Sequence, residues 1–179
     1  CGINSFAEME LASSLGLDLI ITDHHTCFAG NRSALAVLNP KQPECTYPEK
    51  QLAGVGVAWT LVRALYSLLK LPEDNAYQYL DLVAVGTIAD VVPLLGENRI
   101  LVKHGLTRLR DNPSPGLAAL ARASGLQNTD LTVTQVAFML APRLNAAGRL
   151  AEAELAVRTL LAAVTEADAL ALSLDAQNR

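Results

Sequence analysis

IITDHHTC, residues 20–27, ends an apolar run abruptly on one aspartate and two histidines. Upstream, LDL extends the run to 17–22, a length and composition suited to a short buried strand. Ser5 and Glu8 have capping-box spacing, which predicts a helix over 6–14 that Gly16 stops. Beyond a polar loop at 23–33, ALAVLN (34–39) predicts a second strand. Helix, strand, loop and strand imply a parallel α/β arrangement. In such sheets, ligands gather at the carboxyl ends of strands, which is where Asp23, His24 and His25 stand.

Composition narrows the function classes. Of the 179 residues, 51 % are apolar and 18 % charged, which fits a globular domain with a real core. No apolar stretch reaches the ~18 residues of a membrane span, and the first residues lack the pattern of a signal peptide. The three cysteines, Cys1, Cys27 and Cys45, are odd in number and far apart, which suits a reducing, cytoplasmic setting. A net charge of −4 argues against nucleic-acid binding by bulk charge. Phosphate chemistry would need a local cluster or a metal. The first residue is Cys, and the closing ALALSLDAQNR reads as a helix stopped in full stride, so a fragment of a longer protein is expected.

Past residue 40 the pattern turns helical. A loop runs to Gly54, and helices are predicted over 54–69, 72–92 and 98–109. DNPSPG (111–116) punctuates the chain, and short helices follow to about residue 140. APRLNAAGR (141–149) is expected to break the pattern, before helices over 151–162 and 166–177.

Three groups could carry chemistry. Asp23-His24-His25 offers imidazoles for a metal and a carboxylate to orient them, or an ordinary solvated turn. Asp90, in VAVGTIADVVPL (83–94), is a carboxylate between apolar flanks, where a charge is costly unless paired or metal-bound. An exposed helix-terminal aspartate is the alternative. In PRLNAAGR, Arg143 and Arg149 flank small residues that let a ligand come close, and Arg suits phosphate oxygens. The same pattern fits a helix cap and turn. AGVGVA (53–58) lacks a third glycine and reads as a loop closing onto a helix N-terminus. Trp59, Tyr66, Tyr77 and Tyr79 are expected in the core, and His104 on the surface.

Taken together, DHH at 23–25, NPKQPECTYPEKQLAGVGVAWTL, GTIADVVPL and APRLNAAGRL resemble the DHH phosphoesterase superfamily, in its RecJ branch of single-strand-specific 5′→3′ exonucleases. The resemblance implies an α/β fold: the parallel sheet edge of a DHH domain (1–150, partial) followed by a mostly helical subdomain, with 151–179 leading towards a connecting helix. It implies a phosphodiesterase acting on single-stranded DNA in repair and recombination, with two Mn2+ or Mg2+ ions. By the same resemblance, His24 and Asp90 are metal ligands, His25 sits near the scissile phosphate, Asp23 supports the imidazoles, and Arg149 with Asn145 meets a nucleic-acid phosphate. A single-strand-binding protein or a helicase is the implied partner of the full-length protein. The family's upstream Asp-x-Asp motif, the aspartate before "CG" and the DHHA1 domain have no counterpart here, so the piece alone is expected to be inactive. Another DHH hydrolase, such as an oligoribonuclease or pyrophosphatase, and a degenerate scaffold remain as alternatives.

Overall fold

The structure, a computed structural model, describes residues 2–30, 32–126, 131–146 and 150–178. Helix α1 (Phe6–Ser14) buries Met9 and ends at Gly16, whose φ of +69° only glycine adopts readily. There Leu17 N–H bonds Ala12 O and Gly16 N–H bonds Ser13 O, which satisfies two terminal carbonyls. Strand β1 (Ile20–Thr22) pairs in parallel with β2 (Ala36–Leu38), with Ile21 opposite Val37. Ile21 points inward while Ile20 is exposed, as the two-residue period of a strand requires. Asp23 N–H continues the ladder to Leu38 O at 2.9 Å. Both strands therefore deliver their carboxyl ends, Asp23 and Asn39, to one edge.

Helices build the rest: α2 (Gly54–Leu68), a 3-10 segment Glu73–Tyr79, α3 (Leu80–Ala89), α4 (Gly96–Asp111) and α5 (Pro115–Ala123). Then come α6 (Val133–Gln135), a π-helical turn Val136–Leu140, α7 (Ala141–Ala146), α8 (Leu150–Leu161) and α9 (Val164–Asn178). Helix α3 is the axis of the packing. Its Leu80 and Val83 join Leu52, Val57, Trp59 and Leu101 in one cluster. Its Val85 and Ile88 join a larger helical cluster that includes Leu117, Leu120, Leu140 and Leu174. A Cβ at Gly105 would lie 2.2 Å from Leu80 O, so α4 needs glycine there to approach α3. Asp81, fully buried, accepts Ser114 N–H at 2.7 Å and Leu82 N–H at 2.9 Å.

The mixed α/β class with a parallel strand pair and a mostly helical remainder agrees with the sequence reading. Several details differ. Ser5 takes the N-cap position, but its side chain makes no capping bond. The strands are shorter than expected, because pairing stops where the partner strand does. The single helix expected over 72–92 is a 3-10 segment followed by α3 and stops at Ala89. Residues 141–146 are helical and not a break. Pro142 follows the wide π turn, a place where helices accommodate a missing N–H. Trp59 is buried and donates Nε1–H to Ala76 O at 3.0 Å, but Tyr77 and Tyr79 are substantially exposed. No helix among the described residues is long and apolar enough to cross a membrane.

Candidate metal centre

Asp23 is a buried carboxylate whose oxygens are already committed. Oδ2 accepts Ile3 N–H at 2.7 Å. Oδ1 accepts His24 N–H at 2.6 Å, His25 N–H at 3.1 Å and the His25 ring Nδ1 at 2.7 Å. Burial pushes its pKa up, but these bonds outweigh burial and hold it at about 2. With Asp23 ionised, Nδ1 of His25 must carry the bonding proton, which leaves Nε2 facing out on a side chain that is 67 % exposed. Gly2, at φ +125°, is pressed against Asp23: a Cβ there would lie 2.3 Å from Oδ2.

His24 turns the other way. Its Nε2 lies 3.2 Å from Asp90 Oδ2, and its Nδ1 is buried without a hydrogen-bond partner among the described residues. Asp90 caps the C-terminus of α3 and is about one-third exposed. Its apolar flanks are not both buried as the sequence suggested: Val91 is 87 % exposed and has a positive φ of 57°, because the chain leaves the core there. Gly86 permits close approach, as its residue type implied, and the neighbour is Val55, 2.9 Å from an added Cβ. Gly54 lies against the His24 ring, with an added Cβ 3.3 Å from Cδ2. His24, Gly54, Val55, Gly86, Ala89, Asp90 and Asn145 line one pocket.

Two donor sets are therefore on offer. Ligand atoms of Asp23, His24 and His25 lie within 4.8 Å of one another. Asp23, however, spends its lone pairs on N–H donors and is a poor ligand. His24 and Asp90 present an imidazole nitrogen and a hard carboxylate oxygen to a shared pocket, a mixed set that suits divalent cations. Two ligands each ~2.1 Å from an ion and a right angle apart would sit ~3 Å from each other, close to the separation found.

The structure thus brings His24, Asp90 and Asn145 together and ties His25 to Asp23. Asp23 braces the ring of His25 but not that of His24. Arg149 lies outside the described residues. Arg143 is committed elsewhere: its Nε donates to Asp175 Oδ1 at 2.8 Å, joining α7 to α9. Three contributors escaped the sequence reading: Gly54, Asn39, and the Gly2-Ile3 backbone. Asn39, 3 % exposed, donates Nδ2–H to His25 O at 2.9 Å and accepts Lys41 N–H at 2.8 Å. Its signal was a polar side chain closing the second strand beside the first. Gly54 sat in a stretch already read as a loop meeting a helix, but nothing local tied it to His24.

Comparison with known proteins gives one direction. Residues 1–87 match the model of the DHH family, N-terminal domain. The chain is 46 % identical over 179 residues to the single-stranded-DNA-specific exonuclease RecJ of Bacillus subtilis, covering 99 % of this chain and 22 % of that protein. It is 42 % identical to the Escherichia coli protein of the same name, covering 99 % of this chain and 33 % of that one. The crystal structure of RecJ from Thermus thermophilus in complex with Mn2+ superposes with a TM-score of 0.85 at 45 % identity, over 99 % of this chain and 26 % of that one. The chain thus spans between about a fifth and a third of the length of these relatives.

Proposed function

We propose that the chain is part of a RecJ-type member of the DHH family and carries part of the metal centre of a 5′→3′ exonuclease for single-stranded DNA. The observation that carries the reading is the convergence of His24 and Asp90 at 3.2 Å from segments far apart in sequence. These two residues would hold a divalent ion, Mn2+ or Mg2+; the Thermus thermophilus RecJ structure is a complex with Mn2+. When bound, such ions acidify a water and offset the charge that builds on a phosphate under attack.

The chain's own residues do the rest. Asp23 fixes the tautomer of His25, so that Nε2 faces a phosphate oxygen at the mouth of the site. Asn145, on the pocket wall, orients the nucleic-acid backbone, and Arg149 clamps a phosphate with its guanidinium. Gly54 lets the start of α2 lie against the His24 ring, and Gly86 lets α3 approach Val55 on the pocket wall. Single-stranded DNA is the substrate, in the cytoplasm, and a single-strand-binding protein or helicase is the partner that presents it. Residues 1–150 form part of the DHH domain and 151–179 its helical end. Ligands for a second ion come from outside these residues, so the chain alone hydrolyses little.

The test is Mn2+-dependent degradation of 5′-phosphorylated single-stranded DNA. It compares a protein of the relatives' length carrying this segment, its His24→Ala and Asp90→Asn variants, and the 179-residue chain. Loss of activity by about 100-fold or more in both variants supports the reading. Unchanged activity in either variant removes its residue from the metal centre. Robust degradation by the 179-residue chain means the site is complete within it.

A further inference from the structure

Asn98 is fully buried at the start of α4, outside the pocket, and both ends of its amide are bonded. Nδ2 donates to Gln51 O at 2.6 Å and to Pro93 O at 3.1 Å, while Oδ1 accepts Ala53 N–H at 3.4 Å. The partners belong to two separate pieces of chain. Gln51 and Ala53 lead into α2, whose first residue, Gly54, lies against the His24 ring. Pro93 lies two residues beyond the turn at Asp90–Val91, in the irregular stretch that leads to α4.

That turn is strained. Val91 sits at φ 57°, a region that β-branched side chains rarely occupy, and its exposed side chain gains no burial in return. Such a conformation persists only where the surroundings over-determine it. Asn98 supplies part of that restraint through Pro93 O. A single buried amide thus links the backbone beside His24 to the backbone beside Asp90.

We infer that Asn98 is a positioning residue, which sets the spacing of His24 and Asp90 by holding the Asp90–Pro93 segment against the approach to α2. This rests on the metal-binding reading of those two residues. Outer partners that fix ligand geometry in this way commonly matter about 10–100-fold in metal affinity. Asn98→Asp is isosteric and keeps the acceptor for Ala53 N–H but loses both donated bonds. It also sets a carboxylate oxygen against two carbonyls. A role confined to packing would survive it better than a role as double donor.

The experiment uses the 179-residue chain, with Asn98→Ser in place of Asn98→Asp if the latter does not fold. Crystal structures of wild type and variant are compared, and Mn2+ is titrated into each. Leu117→Ala serves as a remote destabilised control. The expected result is that the His24–Asp90 separation opens beyond hydrogen-bond distance, Val91 relaxes to negative φ, and Mn2+ affinity falls about tenfold in the folded variant but not in the control. A folded variant that keeps the wild-type separation and the strained Val91 overturns the inference. So does a fall in affinity equal to that of the control. If wild type itself binds no Mn2+, the metal reading fails, and the crystal structures still decide whether Asn98 sets the spacing.

Discussion

Leu117, Leu120, Leu140 and Leu174 in the helical part are fully buried, whereas Leu11, Leu17, Ile20 and Leu35 around the strand pair are more than half exposed. The helical part is held by apolar packing around α3. The strand part buries fewer apolar residues, among them Ile3, Met9 and Ile21, and adds a dense set of polar bonds: Asp23 gathers four donors, and Asn39 joins the two strand ends. The candidate centre lies where they meet, with His24 from the strand side and Asp90 from the helical side. One side therefore supplies rigidity through many interchangeable contacts, and the other supplies orientation through a few that are not interchangeable.

Truncation should expose this contrast most strongly. Leu120→Ala should destabilise the chain by about 3–4 kcal/mol, because a fully buried leucine leaves a cavity. Ile20→Ala, on the exposed strand face, should stay within about 0.5 kcal/mol. Chemical denaturation of both variants checks the difference, and equal losses would mean that the strand face is buried in solution, for instance by self-association. Next in size is Asp23→Ala, at about 2–3 kcal/mol, since it strands the N–H donors of Ile3, His24 and His25.

The same carboxylate sets a pH dependence. Its pKa falls from the ordinary 3.8 to about 2 on folding, so its ionised form favours the native state. That contribution, about 2 kcal/mol, is fully present above the unfolded value and is lost as pH falls from about 4 to about 2. Thermal melts across that window should show a steeper decline for wild type than for Asp23→Asn. Parallel declines would show that Asp23 is not the group responsible. The smallest effect is Gly16→Ala. Open space surrounds Gly16, so the cost of about 1 kcal/mol comes from its left-handed φ alone. A loss several times larger would point to a contact that α1 makes in solution.

Much of the fold could be read from local pattern. Gly16 announced the end of α1, Gly54 the start of α2, apolar periodicity the course of α4, and richness in Ala and Leu the course of α9. The split of 72–92 could not be read, because tertiary packing, not periodicity, chose a 3-10 segment before Leu80. Helical continuation through Pro142 was hidden for a similar reason: a π turn leaves no plain sequence signature. At the site, residue chemistry singled out His24 and Asp90, and the family resemblance gave them one ion. The supporting amides were harder to see. Asn39 and Asn98 owe their importance to partners that only the folded chain brings near; Asn39 at least closes a strand, whereas nothing in the local sequence of Asn98 distinguishes it from a surface asparagine.

The central claim is that His24 and Asp90 share one divalent ion. Its most direct test is electron paramagnetic resonance of free Mn2+ titrated into wild type, His24→Ala and Asp90→Asn, with folding checked by circular dichroism. The account predicts weak binding of Mn2+ by wild type, lost in both variants while each remains folded. Folded variants that take up Mn2+ as well as wild type would contradict it.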